Sequence, residues 1–238
     1  LLQPGKTITY TGKHLEKIIF PLGGIGTGTI WLHGSGRLVN WQIFNNIQKN
    51  SLVDDSFFAV RVQQEGKPAV VRVLRQEPLG PFQGIKDIQF VGRYPFGRVS
   101  FTEPELPVQI ALEAFNPLIP LTEKDSAIPC AIFTLRAVNK SDKPVQVSFL
   151  GSLQNAVGHA GVGASAGVSH AGYGGNLNVP IRDERMECVL MKAEPGRPAE
   201  FSPPVELIVD HQSLPAVDTS PVRGLTLAVG PREAAGHD

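Results

Sequence analysis

The sequence has no excess of basic residues, few cysteines and no long apolar run. Its 238 residues contain 22 Lys and Arg against 22 Asp and Glu, and only two cysteines. Nucleic-acid-binding proteins carry a basic excess that attracts phosphate, so the net charge of zero excludes that class. Two cysteines are too few for a disulfide framework, and no run of about 20 apolar residues predicts a transmembrane helix.

Glycine and proline are abundant instead, with 25 and 20 copies. Both are costly inside helices and common in the turns of all-β proteins. Hydrophobic residues make up 42% of the chain and charged residues 18%, which is typical of a globular protein large enough to bury a core. Helical periodicity is weak: residues 181–192 could hold a turn or two of helix, but no window keeps apolar residues at helical spacing over three turns.

Short apolar runs on either side of turns predict β-hairpins. Residues 27–33 and 37–44 flank a Gly-Ser-Gly turn, and residues 57–64 and 69–75 flank a second turn. Apolar and polar residues alternate along several runs, which is the pattern of a half-buried strand. The side chains expected to be buried are Phe58, Val60, Val62, Val108, Ile110, Leu112, Val145, Val147 and Phe149.

Residues 131–138 and 144–150 flank a third turn, which carries the glycosylation pattern Asn139-Lys140-Ser141 and is expected to close a hairpin. Weaker strands are expected at 188–191, 206–209 and 224–229. These patterns together predict an all-β fold, a single antiparallel β-sandwich with little helix. The glycine-rich segment 151–180 is expected to form a long loop.

Gly24-Ile25-Gly26-Thr27-Gly28 resembles part of a nucleotide-binding loop, but a strand-like run follows it rather than a helix. We therefore expect Gly23 to Gly28 to form a turn or bulge that enters a strand. Trp31 and Trp41 are expected in or beside the core. Cys130 and Cys188 each lie in a short apolar run, so two buried free thiols are predicted, with a single disulfide as the alternative.

No catalytic, cofactor or metal site is evident from residue spacing. Adjacent strand residues point to opposite faces, and neighbouring acids in turns are usually solvated, so no acidic pair is expected to act on a sugar. The six histidines have no metal-ligand spacing with Cys or carboxylate partners. The acidic pairs are Asp54/Asp55, Glu103/Glu105 and Asp183/Glu184.

Three groups of segments occur in an order that is more specific than any one motif. The first is FPLGGIGTGTI at 20–30 with NWQIFN at 40–45; the second is YPFG at 94–97, PELPV at 104–108 and EAFNPLIPL at 113–121; the third is SAIP at 126–129, GSLQNAVG at 151–158 and GYGGN at 172–176. In this order they resemble the N-terminal domain of glycoside hydrolase family 116, the family of non-lysosomal glucosylceramidase and bacterial β-glucosidases. The resemblance covers about residues 18–192.

The resemblance implies an architecture and a partner. In that family a β-sandwich precedes an (α/α)6 barrel, and the barrel supplies the Glu nucleophile and Asp acid/base for retaining hydrolysis of β-glucosides such as glucosylceramide. The expected organisation is therefore a sandwich domain at 1–230 and a tail at 231–238. No helical barrel is expected in the chain, which suggests an excerpt of a longer enzyme. The family includes cytosolic and secreted members, so no compartment follows.

The resemblance carries no catalytic residue over to this chain. It makes the chain an accessory domain that packs on the barrel, and the long loop is expected to reach the mouth of the pocket. Asn155, His159, Tyr173 and Asn176 give that loop groups for hydrogen bonding and stacking. Docking between domains and contact with sugar both remain open for these residues. The alternative function is a stand-alone carbohydrate-binding or adhesion module.

Overall fold

A computed structural model of the chain describes residues 7–43, 53, 55–155, 157, 176–182, 187–193, 205–214 and 222–229. Within these residues, helix is limited to a 3-10 helix at Gly12–Lys17 and one α-helical turn, α1, at Glu123–Ser126. The strands are β1 (Thr9–Thr11), β2 (Ile19–Leu22), β3 (Gly28–His33), β4 (Leu38–Ile43), β5 (Phe57–Gln64), β6 (Val70–Val73), β7 (Asp87–Arg93), β8 (Phe96–Thr102), β9 (Val108–Phe115), β10 (Ala131–Asn139), β11 (Val145–Leu153), β12 (Asn176–Arg182), β13 (Glu187–Ala193), β14 (Val205–Leu214) and β15 (Val222–Val229).

Every strand pair is antiparallel, so the predicted all-β antiparallel fold is confirmed. The largest sheet has the order β1-β7-β8-β9-β10-β15, and the second has the order β14-β11-β5-β6. The inner faces of these two sheets share one core. In it the rings of Phe58 on β5 and Phe133 on β10 lie 5.3 Å apart. This contact between sheets supports the sandwich interpretation.

The side-chain alternation along the strands determines which residues form the core. The nine side chains that the sequence alternation predicted to be buried lie on β5, β9 and β11, and all nine are buried. The first two predicted hairpins are present as β3–β4 and β5–β6. Trp41 lies in the core, whereas Trp31 is half-buried and its indole N–H donates to the Thr29 hydroxyl at 2.8 Å.

Two local predictions are wrong. Residues 181–192 contain no helical turn in their described part, because 176–182 and 187–193 pair as the β12–β13 hairpin. The turn after β10 does not close a hairpin either: Asn139 pairs with Val108 in the large sheet, while Val145 pairs with Gln64 in the second sheet. The connection therefore carries the chain from one sheet to the other. Strand alternation could not predict this, because it does not specify the partner of a strand.

The buried side chain of Asn139 fixes this connection. Its amide donates to the Lys143 carbonyl at 2.8 Å, and its carbonyl oxygen accepts the Ser141 backbone N–H at 2.9 Å. The Asn139 amide nitrogen, which is the acceptor atom of the glycosylation pattern, is thus buried within the turn.

The prediction of two buried thiols is also corrected. Cys188 on β13 is exposed, and Cys130 is half-buried just before β10. Both are free thiols, and burial raises the pKa of Cys130 above its ordinary value. The apolar run around Cys188 belongs to a two-stranded hairpin, which gives its side chains little cover.

Candidate functional site

The glycine cluster forms the turn between β2 and β3, as predicted. The Thr27 backbone N–H and hydroxyl both donate to the Gly24 carbonyl, at 3.2 and 3.0 Å, and β3 begins at Gly28. Gly24 packs so tightly that a Cβ there would lie 2.5 Å from the Ile128 carbonyl oxygen. The cluster therefore joins the turn to a distant part of the chain.

Asn116 joins this turn to the β7–β8 turn. Its side-chain oxygen accepts the Gly23 backbone N–H at 2.7 Å, across 93 positions of sequence. Its amide donates to the Tyr94 hydroxyl, and its backbone N–H donates to the Pro95 carbonyl at 3.0 Å. Asn116 itself is buried, so its side chain depends on these partners to satisfy its amide.

Ser126 joins a third segment to the same place. Its carbonyl accepts the Ile25 N–H at 3.0 Å, and its hydroxyl bridges the N–H and carbonyl of Ile119, both at 2.9 Å. We call Gly23–Ile25, Tyr94–Phe96 and Asn116–Ile128 the motif corner. It unites segments from each of the three motif groups seen in the sequence. Sequence reasoning did not assemble this site.

The motif corner lies at one end of the large sheet and exposes apolar side chains. Phe96, Phe115 and Ile132 occupy one row across β8, β9 and β10, and the rings of Phe96 and Phe115 stack 4.9 Å apart. The exposed large apolar side chains of the corner are Ile25, Tyr94, Phe96, Ile119, Leu121 and Ile128. The available sequence signal was three runs without a charged residue, at 18–36, 114–122 and 126–135.

Asn155 and Asn176, two of the residues proposed for the long loop, form a buried hydrogen-bond network. The Asn155 amide donates to the Leu177 carbonyl at 3.1 Å and to the Asn178 side-chain oxygen at 2.8 Å. The Asn176 amide donates to the Asn155 side-chain oxygen at 3.2 Å and to the Val157 carbonyl at 2.8 Å. The network binds the end of β11 to the β12–β13 hairpin. His159 and Tyr173 lie outside the described residues.

Glu103 and Glu105 were expected to be solvated, and only Glu105 is. Both carboxylates pair with one guanidinium, that of Arg72, with 3.7 Å from its Nε to the Glu103 oxygen. The Glu103 side chain is only 17% exposed, against 64% for Glu105. A cleft of about 380 Å³ beside Glu103 is lined by Gln109, Lys140 and Ser141, among others, and by no aromatic side chain.

The other acidic pairs and possible metal ligands can be described only where the structure covers them. Asp54, Asp183 and Glu184 lie outside them. Asp55 is described, and its carbonyl accepts the Ser152 hydroxyl at 2.7 Å. Within the part of the chain that the structure covers, no three His, Cys, Asp or Glu side chains lie close enough to hold a metal ion. In the same part, neither helix has the length and hydropathy to span a bilayer.

His33 gives the turn after β3 a pH dependence. The Ser35 backbone N–H donates to His33 Nδ1 at 3.2 Å, and the Ser35 hydroxyl lies 2.8 Å from the same atom. Burial first, and the charge of Arg37 second, lower the pKa of His33 below its ordinary value of 6.5. The unfolded chain therefore binds this proton more tightly than the folded protein does.

We expect stability to be fully retained above about pH 6.5 at this site and to fall as the pH drops below that value. The measurement is the urea midpoint at pH 5 to 8 for the wild type and for His33→Gln. The variant should lose this part of the pH dependence. An unchanged slope in the variant would contradict the assignment to His33.

The comparison with known families agrees with this geometry. Residues 20–223 match the family model described as beta-glucosidase 2, glycosyl-hydrolase family 116 N-term. The match covers most of the chain, including all three parts of the motif corner and the Asn155–Asn176 network. The chain therefore belongs to glycosyl-hydrolase family 116, as its N-terminal domain.

Proposed function

We propose that this domain is the accessory N-terminal domain of a retaining β-glucosidase or glucosylceramidase-type hydrolase. It packs on the catalytic domain, shapes the access to its pocket and performs no catalysis alone. The observation that carries the proposal is the family match over residues 20–223. In this proposal residues 1–230 form the domain and residues 231–238 a tail.

The acidic side chains of the described residues support a non-catalytic role. Retaining hydrolysis requires two carboxyl groups about 5 Å apart, with room for the sugar between them. Glu103 and Glu105 instead share the Arg72 guanidinium, which occupies that room. Glu113 lies between Arg98 and Arg136, with 2.7 Å to the Arg136 Nε. Each of these acids has a cation where a glycosidase would have its substrate.

The Asn155–Asn176 network supports a positioning role for the segment that follows it. Asn155 is completely buried, and its amide and carbonyl are bonded to β12, to β13 and to Val157. A sugar hydroxyl would have to displace these bonds to reach either atom. We therefore assign Asn155 and Asn176 to fixing both ends of the glycine-rich segment, and we do not assign them to sugar contact.

The test is an aryl β-glucoside assay on the purified 238-residue chain, beside a longer protein that carries both domains. We expect turnover only by the two-domain protein, because Glu103 and Glu105 share the Arg72 guanidinium and Glu113 lies between two arginines. Glu103→Gln and Glu105→Gln variants of the chain serve as controls. Turnover by the chain that is lost in either variant would place catalysis in this domain and overturn the proposal.

A carbohydrate-binding module is the second candidate, because Tyr94 and Phe96 expose aromatic rings on which a sugar can stack. It predicts saturable binding of a methyl β-glucoside by the chain and loss of binding in Phe96→Ala. Saturable binding together with an inactive two-domain protein would favour this candidate.

A further inference from the structure

We infer that the motif corner is the face on which the catalytic domain of the same polypeptide docks. The inference rests on the proposed function and deepens it by naming the surface. Six large apolar side chains are exposed at the corner, on three segments that are separate in sequence. Exposed apolar side chains that are grouped on one part of a surface mark interaction sites.

The charge pattern indicates a permanent protein partner. The runs that build most of the corner, 18–36, 114–122 and 126–135, contain no Lys, Arg, Asp or Glu. Depletion of charge at the centre, with aromatic enrichment, is the composition of interface cores that stay covered. The charged residues are Arg93 and Arg98, on either side of the β7–β8 segment, and Glu123, Lys124 and Asp125 of the helical turn α1.

The last described strand ends beside this face. The last described strand, β15, ends at Val229, which pairs with Ala131 at the start of β10. Ala131 is three residues after Ile128, one of the exposed residues of the corner. Strand β15 thus ends beside the corner, so a domain that follows it is within reach of this surface.

Leu121 carries the clearest mark of a missing partner. It is the third residue of an Ile119–Thr122 turn closed by a 3.0 Å hydrogen bond, with Pro120 second and a φ of 65° at Leu121. That pattern favours Gly or Asn at the third position, because a branched side chain is strained there. The Leu121 side chain is also 105% exposed. Within the isolated domain the backbone strain at Leu121 is therefore not offset by packing of its side chain.

Sugar is a poorer occupant of the corner than protein. The Asn116 side chain, which is the buried amide of the corner, is bonded through its oxygen to Gly23 and through its nitrogen to Tyr94. The Ser126 hydroxyl is bonded to Ile119. A sugar site needs several placed hydrogen-bond partners beside its stacking rings. The corner instead offers the aliphatic side chains of Ile25, Leu121 and Ile128.

The first experiment is hydroxyl-radical footprinting of the 238-residue chain and of the two-domain protein. The internal control is Phe82, 42% exposed, which lies in the loop before β7 and so at the other end of the large sheet. We expect oxidation of Phe96, Leu121 and Ile128 to fall several-fold in the two-domain protein, while oxidation of Phe82 is unchanged. Equal labelling of the corner in both proteins overturns the inference.

The second experiment uses Leu121→Asn, which has opposite effects on fold and docking. Asn is favoured at positive φ, so the melting temperature of the 238-residue chain should stay the same or rise. In the two-domain protein we expect proteolysis between the domains to accelerate about tenfold, because the open population grows when a buried leucine is lost. Phe82→Asp is the matched surface variant and should leave that rate unchanged. An unchanged rate in Leu121→Asn contradicts docking at the corner.

The outcomes separate this inference from the proposed function. A protected corner in a two-domain protein without glucosidase activity supports docking and refutes the function. An active two-domain protein with an unprotected corner refutes docking alone. Protection of the isolated chain that grows with its concentration identifies a second copy as the occupant, and protection by added methyl β-glucoside identifies sugar. Either of these last results overturns the inference.

Discussion

Replacing Gly24 by alanine is expected to lower the free energy of unfolding by about 3 kcal/mol or more, at the upper end of overpacking effects. The new Cβ would lie 2.5 Å from the Ile128 carbonyl oxygen and 2.6 Å from that of Ala127. Both are backbone atoms, so no side-chain rotation relieves the clash. Relief requires the β2–β3 turn to separate from the 126–128 segment, which breaks the Ile25–Ser126 hydrogen bond. Urea unfolding of the purified chain measures the loss.

Gly26→Ala is the matched control, two positions away in the same turn. A Cβ at Gly26 meets nothing within 4 Å, but its φ of 74° is one that alanine adopts at a cost of about 1–2 kcal/mol. The two variants thus separate a steric cost from a conformational one. A Gly24 variant as stable as the Gly26 variant would show that the turn is not held against Ile128.

The strand faces were predictable from the sequence because alternation is a local property. Each of Val60, Val147 and Leu112 has polar or less buried neighbours, and a period of two assigns its face without knowledge of the partner strand. The turns at Gly34–Gly36 and Gly66 were predictable for the same reason, since glycine at positive φ marks a turn.

Partners across the chain were not predictable, because they depend on contacts far apart in sequence. The connection after Asn139 has the composition of a hairpin turn, yet its two strands join different sheets. Glu103 was predicted to be a solvated acid, and its partner Arg72 lies 31 positions earlier in the sequence. The Asn116–Gly23 bond spans 93 positions and has no local signature. The segments of the candidate site were therefore visible in the sequence as parts of the three motif groups, without the geometry that unites them.

Two of the residues that the sequence analysis placed in the glycine-rich segment, Asn155 and Asn176, form hydrogen bonds within the domain. Asn155 was expected to offer hydrogen bonds to a sugar or to a neighbouring domain. In the structure its side chain forms hydrogen bonds within the domain. Its amide nitrogen has the Leu177 carbonyl, the Asn178 side-chain oxygen and the Lys192 carbonyl within 3.3 Å. Asparagine is the residue type that can donate to such oxygens and accept an N–H on its other atom.

Replacing Asn155 by aspartate is expected to destabilise the chain by about 3 kcal/mol or more at pH 8, because a buried charge would face oxygen atoms without a donor. The same variant should recover as the pH falls, since burial and the surrounding oxygens raise the pKa of the new carboxyl in the folded state. The folded protein then binds the proton more tightly than the unfolded chain, and its stability rises as the pH falls toward about 4–5. Urea midpoints between pH 4.5 and 8 measure both effects.

Asn155→Ala and Asn178→Ala complete the design. Alanine at 155 removes the same bonds without adding a charge, so we expect a loss of about 2 kcal/mol with no pH dependence beyond that of the wild type. Asn178→Ala removes one acceptor of the Asn155 amide, which keeps the Leu177 and Lys192 carbonyls, and should cost about 1 kcal/mol. A two-domain protein carrying Asn155→Ala should keep its KM for an aryl β-glucoside while it unfolds more easily. A raised KM with unchanged stability would instead place Asn155 against the sugar.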